Sequence, residues 1–132
     1  MPEPTLLLTN ATVMATMDDE HRELANGWLL IRGNRIEALG TEADRPADLK
    51  ADQTLDMTGH VVMPGLVTPP HHMFQSLTRA LPAAQDAELF DWLSALFPVW
   101  RNITPEMQRA ASRAAMAELM LSGCTTAADH AY

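Results

Sequence analysis

Residues 61–72 read VVMPGLVTPPHH and separate two halves of the chain with different hydrophobic patterns. The apolar run from Val61 to Val67 contains Pro64-Gly65 and predicts a kinked strand that is buried on both faces. After this run, apolar residues recur at spacings of three and four, which is typical of helices. We therefore expect a β-rich unit over residues 1–60 and a strand followed by helices over residues 61–132.

The second half carries the signals of two helices and a second strand. One helix is predicted over residues 87–100, with Pro98 disturbing its last turn. The next begins with a hydroxyl cap at Thr104 and a proline at the first helical position, and Gly123 is its expected stop. Residues 124–128 then predict another buried strand. A strand, helices and a strand in this order form a βαβ unit, which requires parallel strands.

The first half predicts short strands joined by turns. Thr9-Asn10 favours a turn, and Gly33-Asn34 suits a two-residue hairpin because both residues tolerate a positive φ. Residues 42–53 have scattered charge and a proline, which predicts a surface loop. We expect a small antiparallel β unit.

Composition limits the classes of function. The 132 residues carry a net charge of −8, so a nucleic acid partner is not expected. Apolar residues make up 47% of the chain, enough for one core in a single domain or in a piece of a larger one. The single Cys124 fits a reducing compartment, and no apolar run approaches the roughly 18 residues of a membrane span. A cytoplasmic protein without membrane contact is expected.

The histidines are the first candidates for chemistry. His21 and His60 lie in predicted loops and are interpreted as ordinary surface residues. His71 and His72 are adjacent at the end of a predicted strand. Because side chains alternate along a strand, the two cannot both reach one metal ion unless the backbone turns there.

Four segments in order point to a family. The run at 61–67 leads to the histidine pair and MFQSLTR at 73–79, then AAQDAELFDWL at 83–93 and LMLSGCTT at 119–126. Together they resemble the N-terminal part of the amidohydrolase superfamily, within it the hydroxydechloroatrazine ethylaminohydrolase and 8-oxoguanine deaminase group. The resemblance implies an α/β fold: a small N-terminal β unit forming part of a composite β-sandwich, and the start of a (β/α)8 barrel with about two barrel strands.

The resemblance also implies a reaction. Members of this family hydrolyse C–N bonds of small aminated heterocycles such as triazines and purines, by deamination or aminohydrolysis. They use a divalent metal, zinc or iron, whose first two ligands form a His-x-His pair at the end of the first barrel strand. Counted from Pro64-Gly65, the two ligand positions are 70 and 72.

This chain departs from the family pattern at one of those positions. His72 is the implied metal ligand, whereas Pro70 offers no lone pair. His71 lies between them and is expected to face away unless the kink rotates it inward. Metal binding by this chain alone is therefore expected to be weak or absent.

Two further residues are implied to contact substrate, and each has a structural alternative. Gln75 matches a substrate-contacting amide, or is an exposed helix residue. Trp92 matches an aromatic on the substrate side, or packs in the core. His130 follows the second strand, where barrel enzymes collect active-site residues, but it stands alone near the chain end. We identify no catalytic residue.

Length sets the limit on the functional prediction. A (β/α)8 barrel needs about 250 residues, so 132 residues reach only two of its strands. We expect an N-terminal portion, from a truncated or split gene or a partial sequence, that is inactive alone and forms a homo-oligomer or pairs with a complementary chain. The alternatives are a non-catalytic interaction or structural remnant of the family and an unrelated small binding module.

Overall fold

The computed structural model describes residues 2–131 and separates them into two units, the first ending at Pro64 and the second beginning at Gly65. The first unit is a five-stranded sheet. Its strands follow the order β3-β2-β1-β4, and β5 also pairs with β1. The strands are β1 (Thr5–Ala15), β2 (Glu23–Arg32), β3 (Arg35–Thr41), β4 (Gln53–Asp56) and β5 (Val61–Val62).

The prediction that this unit is antiparallel is wrong for two of its strands. β1 pairs antiparallel with β2, and β2 with β3, but β4 and β5 run parallel to β1. The reason lies in residues 42–52, which carry the chain back so that β4 starts in the same direction as β1. Leu49 and Ala51 of this connection pack against the buried cluster of Leu7, Trp28 and Leu30.

Two predicted turns have different outcomes. The hairpin at Gly33-Asn34 is confirmed, because Arg32 pairs with Arg35 and Gly33 has a φ of 57°. Thr9-Asn10 forms no turn. β1 continues through it as a bulge, with Asn10 at a φ of 57° and a register shift between Leu8 and Ala11.

Over residues 65–131, the second unit contains two strands, two α-helices and two short 3₁₀ helices. β6 and β7 pair in parallel and the helices lie between them in sequence, which confirms the predicted strand–helices–strand order. The elements are β6 (Leu66–His71), the 3₁₀ helices Met73–Thr78 and Pro82–Ala84, α1 (Leu89–Trp100), α2 (Pro105–Leu121) and β7 (Cys124–Asp129).

The single strand predicted over Val61–Val67 is wrong. Val61 and Val62 pair with β1 in the first sheet, while Leu66 begins the second sheet. Pro64-Gly65 interrupts the run because proline lacks a backbone donor. The run is not buried on both faces either, since Val61 and Val67 are each 62% exposed.

α2 has the predicted ends. The Thr104 hydroxyl accepts a hydrogen bond from the Met107 amide at 3.3 Å, and Pro105 occupies the first turn. Gly123 follows the helix with a φ of 82°, a conformation that glycine adopts without strain. These caps place β7 directly after the helix.

Gly65 allows the start of β6 to approach β7 closely. A Cβ atom at this position would lie 2.3 Å from both Cγ2 and Oγ1 of Thr125. Thr125 is the extra residue of a bulge, because Leu66 pairs with Cys124 and Val67 with Thr126. The glycine and the bulge therefore fix the register at the start of the sheet.

Over residues 2–131, no helix is both long enough and apolar enough to cross a membrane.

Candidate functional site

The candidate site lies where β6 and β7 end. Near its end β6 contains a bulge. Thr68 pairs with Ala127 and His71 with Asp129, so this interval contains one residue more in β6 than in β7. The bulge falls on Pro69-Pro70, which cannot donate ladder hydrogen bonds. It breaks the regular alternation of side chains just before the two histidines.

Hydrogen bonds tie the two strand ends together. The His130 amide donates to the His71 carbonyl at 2.8 Å, and the Met73 amide donates to Oδ1 of Asp129 at 2.9 Å. His72 Nδ1 lies 2.7 Å from the carbonyl oxygen of His130, and the two imidazole rings are 5.6 Å apart in an edge-to-face arrangement.

The His72 contact determines its tautomer. A backbone carbonyl only accepts, so Nδ1 carries the proton, and in the neutral ring the lone pair is on Nε2. Metal-binding histidines are commonly oriented in this way, with one nitrogen donating to a carbonyl and the other facing the ion. The contact between His72 Nδ1 and the His130 carbonyl is of this orienting kind.

A cavity of about 370 Å³ opens beside these strand ends. The residues predicted to form the site, His72, Gln75 and Trp92, all line it. His71 lines the cavity too, although regular alternation along β6 would turn it away. The sequence signal for its inward position was the pair of prolines that produces the bulge. The full lining is Pro70, His71, His72, Gln75, Ser76, Thr78, Arg79, Ala80, Leu81, Ala84, Gln85, Trp92 and Leu96.

Aromatic side chains support one wall of the cavity. Phe74 and Trp92 each contact the Trp100 ring edge-to-face, at centroid distances of 5.2 and 5.3 Å. Nε1 of Trp100 donates to the Thr78 hydroxyl at 3.0 Å. Trp92 also packs against the core around Leu96, as its structural interpretation predicts.

Gln75 lies on the 3₁₀ helix that follows the histidines. Its backbone amide donates to the His72 carbonyl at 3.0 Å, and its side chain is half-buried. The alternative of an exposed helix residue is therefore wrong in its burial. Ser76 on the same helix donates to the Met73 carbonyl at 2.8 Å, which stabilises the turn that carries the amide.

A residue missed by the sequence analysis, Arg79, lies at the edge of the cavity. Its guanidinium binds the Glu118 carboxylate at 2.8 and 3.1 Å and joins the 3₁₀ helix to α2. The hydrogen bond from Arg79, and next its positive charge, hold the pKa of Glu118 below its ordinary value. Because both side chains are mostly exposed, this pair orients the edge of the cavity more than it stabilises the fold.

The donor set does not fit a divalent metal by itself. Among residues 2–131 no group of three His, Cys, Asp or Glu side chains is placed to hold an ion. A catalytic zinc usually has three protein ligands, and here Pro70 stands at one of the two ligand positions of the first strand.

His21, His60 and Cys124 do not line this cavity. His21 is exposed in the first unit, and His60 Nδ1 lies 3.0 Å from the Thr58 carbonyl there. Cys124 is buried at the start of β7, with Sγ 3.2 Å from the Thr126 carbonyl. His130 contributes its backbone and its ring to the surroundings of His72, as described above.

Searches against known proteins gave consistent relatives, although no family model matches the chain. An 8-oxoguanine deaminase from Pseudomonas aeruginosa is 48% identical over 108 residues, 82% of this chain and 24% of that protein. An isoxanthopterin deaminase from an unidentified prokaryote is 37% identical over 136 residues, 98% of this chain and 27% of that protein.

A solved structure has the same fold over this length. The zinc complex of atrazine chlorohydrolase from Arthrobacter aurescens superposes with a TM-score of 0.82 at 31% identity, covering 94% of this chain and 28% of that one. The chain thus spans about a quarter of the length of the relatives it matches. Matches over most of the chain exclude the alternative of an unrelated binding module that shares only the Pro-Gly-histidine segment.

Proposed function

Because the chain corresponds to the N-terminal part of deaminases and hydrolases of the amidohydrolase superfamily, we propose that it forms the first part of a metal-dependent hydrolase. The reaction is hydrolysis of a C–N bond of a small aminated heterocycle such as a triazine or purine. The observation that carries this proposal is the cavity that joins His72, Gln75 and Trp92 at the ends of two parallel strands.

Each of these residues has a role in the proposal. The Trp92 indole packs against the flat ring of the substrate, and the Gln75 amide hydrogen-bonds to its polar edge. His72 is the one ligand that this chain contributes to a zinc or iron ion. The other ligands and the acid–base residue come from parts of the relatives that the aligned segment does not include, so the chain alone is inactive.

The fold assignment is part of the same proposal. β6, the helices and β7 are the first βαβ portion of a (β/α)8 barrel, and the sheet of the first unit is part of a composite β-sandwich. Because Val61 and Val62 pair with β1, this assignment extends the sandwich part to Pro64 and begins the barrel part at Gly65, instead of dividing the chain between residues 60 and 61 as expected from the sequence. The protein acts in the cytoplasm on a small molecule, without nucleic acid or membrane partners.

A chimera tests the proposal directly. The matching segment of the Pseudomonas aeruginosa 8-oxoguanine deaminase is replaced by this chain, with and without Pro70→His, and ammonia release from 8-oxoguanine is measured. We expect the Pro70→His chimera to deaminate and the Pro70 chimera to be at least tenfold slower. The chain without the remainder of the enzyme should release no ammonia.

Variants of the chimera test the two substrate contacts. Gln75→Leu should lower kcat/KM roughly tenfold or more, because an unsatisfied polar contact costs about 1–3 kcal/mol. Trp92→Leu should also lower kcat/KM, because it removes the aromatic face that packs against the substrate ring. Gln53→Leu, the same change in β4 of the first unit, serves as the control and should leave kcat/KM unchanged. Equal effects of the Gln75 and Gln53 variants would contradict the assignment.

The second candidate function is a non-catalytic remnant of this family. It is favoured by Pro70 and by the lack of a three-donor cluster among residues 2–131. A properly folded Pro70→His chimera that binds metal but releases no ammonia would favour this candidate.

A further inference from the structure

α1 presents a second apolar face, opposite to the one in the core. Trp92, Leu96 and Trp100 belong to the core cluster or pack against it. On the other side of the helix, Phe90 is 79% exposed and Phe97 is 49% exposed. Exposed aromatic residues at helical spacing are characteristic of interaction surfaces.

The exposed face forms a continuous stripe. Residues 90, 94, 97 and 101 follow the i, i+4, i+7, i+11 spacing and therefore lie on one side of the helix. Ser94, in the middle, is small, and its hydroxyl donates to the Phe90 carbonyl at 2.7 Å. A small residue at the centre of a stripe permits another helix to approach closely.

A groove lies at the C-terminal end of this stripe. It has a volume of about 450 Å³ and is lined by Phe97, Pro98, Trp100 and Arg101. Phe97 and Trp100 meet edge-to-face in its wall, with centroids 5.6 Å apart. The groove has room for an aromatic side chain, and Phe90 projects from the opposite end of the same stripe.

The charges of the two helix ends are complementary. Asp86 and Glu88 precede α1, Asp91 lies in its first turn, and Arg101 caps its end. The ion pairs found among residues 2–131 do not involve any of these four side chains. Parallel pairing of two such helices would bring like charges together, whereas antiparallel pairing joins each acidic end to an arginine.

We propose that a second copy of this chain docks on the stripe, with the two α1 helices antiparallel about a twofold axis near Ser94. Each Phe90 enters the groove of the other copy, and each Arg101 faces the acidic end of the other helix. The interface is self-complementary, as twofold symmetry requires. This inference does not depend on the proposed enzymatic function.

Sedimentation of the full chain at increasing concentration tests the interface. We expect a monomer–dimer equilibrium, which Phe90→Asp weakens at least tenfold. The matched control is Leu121→Asp, which alters a side chain 90% exposed at the end of α2 and should leave the equilibrium unchanged. A monomer at every concentration, or equal effects of both variants, would overturn the proposal.

Charge reversal supplies a test that folding defects cannot imitate. Arg101→Glu makes both ends of α1 acidic, and the Asp86→Lys/Asp91→Lys variant makes both ends basic. Each variant alone should fail to dimerise because like ends then meet, and an equimolar mixture should form a heterodimer. A mixture that remains monomeric would refute the antiparallel arrangement.

Cross-linking locates the axis. Ser94→Cys should form a disulfide-linked dimer on mild oxidation, while the wild-type chain should not, because its single Cys124 is buried. Absence of the linked dimer under conditions where sedimentation shows association would place the interface elsewhere.

Discussion

Replacing Gly65 with alanine should destabilise the second unit through one identifiable clash. The new Cβ atom would lie 2.3 Å from Cγ2 and Oγ1 of Thr125 and 2.8 Å from its Cβ. Rotation of the threonine side chain can move the first two atoms but not the third. The backbone of β6 or β7 must therefore shift, and overpacking of this kind costs about 1–3 kcal/mol.

Thermal unfolding measures how much Gly65→Ala destabilises the second unit. One kcal/mol shifts the Tm of a 60–100-residue domain by about 4–8 °C, so Gly65→Ala should lower the Tm of this unit by roughly 4–24 °C. In a Trp28→Phe background, tryptophan fluorescence comes from Trp92 and Trp100, which both belong to the second unit. Their signal therefore follows the unfolding of that unit alone.

A double-mutant cycle isolates the cause. Thr125→Gly removes all three clashing atoms, so in that background Gly65→Ala should cost less than about 0.5 kcal/mol. The cycle subtracts the separate effect of placing glycine in β7. If Gly65→Ala costs the same in both backgrounds, or leaves Tm unchanged, the clash with Thr125 does not explain the glycine.

Three further predictions concern the metal position, a helix cap and a surface carboxylate. Pro70→His should tighten zinc binding to the purified chain at least tenfold in calorimetric titration, because it pairs a second imidazole with His72; unchanged affinity would mean that the ligand register is wrong. Thr104→Ala should lower the free energy of unfolding by about 1 kcal/mol, measured with denaturant, and Thr104→Ser should restore most of it; equal losses in both would exclude capping by the hydroxyl. The hydrogen bond from Arg22 lowers the pKa of Asp18 to about 2, so the stability contributed by its carboxylate is present above the ordinary pKa and is lost as the pH falls towards 2. Arg22→Gln should return the NMR titration of Asp18 towards pH 4, and an unmoved titration would show that Arg22 is not the cause.

Features set by neighbouring residues were predictable from the sequence. Thr104, Pro105 and Gly123 define the ends of α2 because capping depends on residues within one turn. The hairpin at Gly33-Asn34 was predictable for the same reason. The presence of His72, Gln75 and Trp92 at one cavity followed from the family resemblance rather than from any local pattern.

Features that depend on distant pairing were not predictable. Thr9-Asn10 has turn chemistry, yet β1 continues because β2 and β4 hold its two sides. The sequence predicts that Val61 and Val62 begin the second unit, but in the structure they pair with β1 of the first. Pro69-Pro70 signals a kink that can turn His71 inward, but the bulge that does so depends on how β6 pairs with β7, which no spacing in the sequence specifies.

The prolines in β6 give the two-stranded sheet unequal borders. Pro69 and Pro70 have no amide hydrogen, so the free edge of β6 has fewer donors for pairing with another strand over its last residues. On the other side, residues 125–128 contain no proline, so every outward-facing amide of β7 keeps its hydrogen. An additional strand, whether from a longer polypeptide or from an aggregating neighbour, therefore finds more amide donors along β7, whereas pairing at the β6 border depends on its first residues, Leu66 to Thr68.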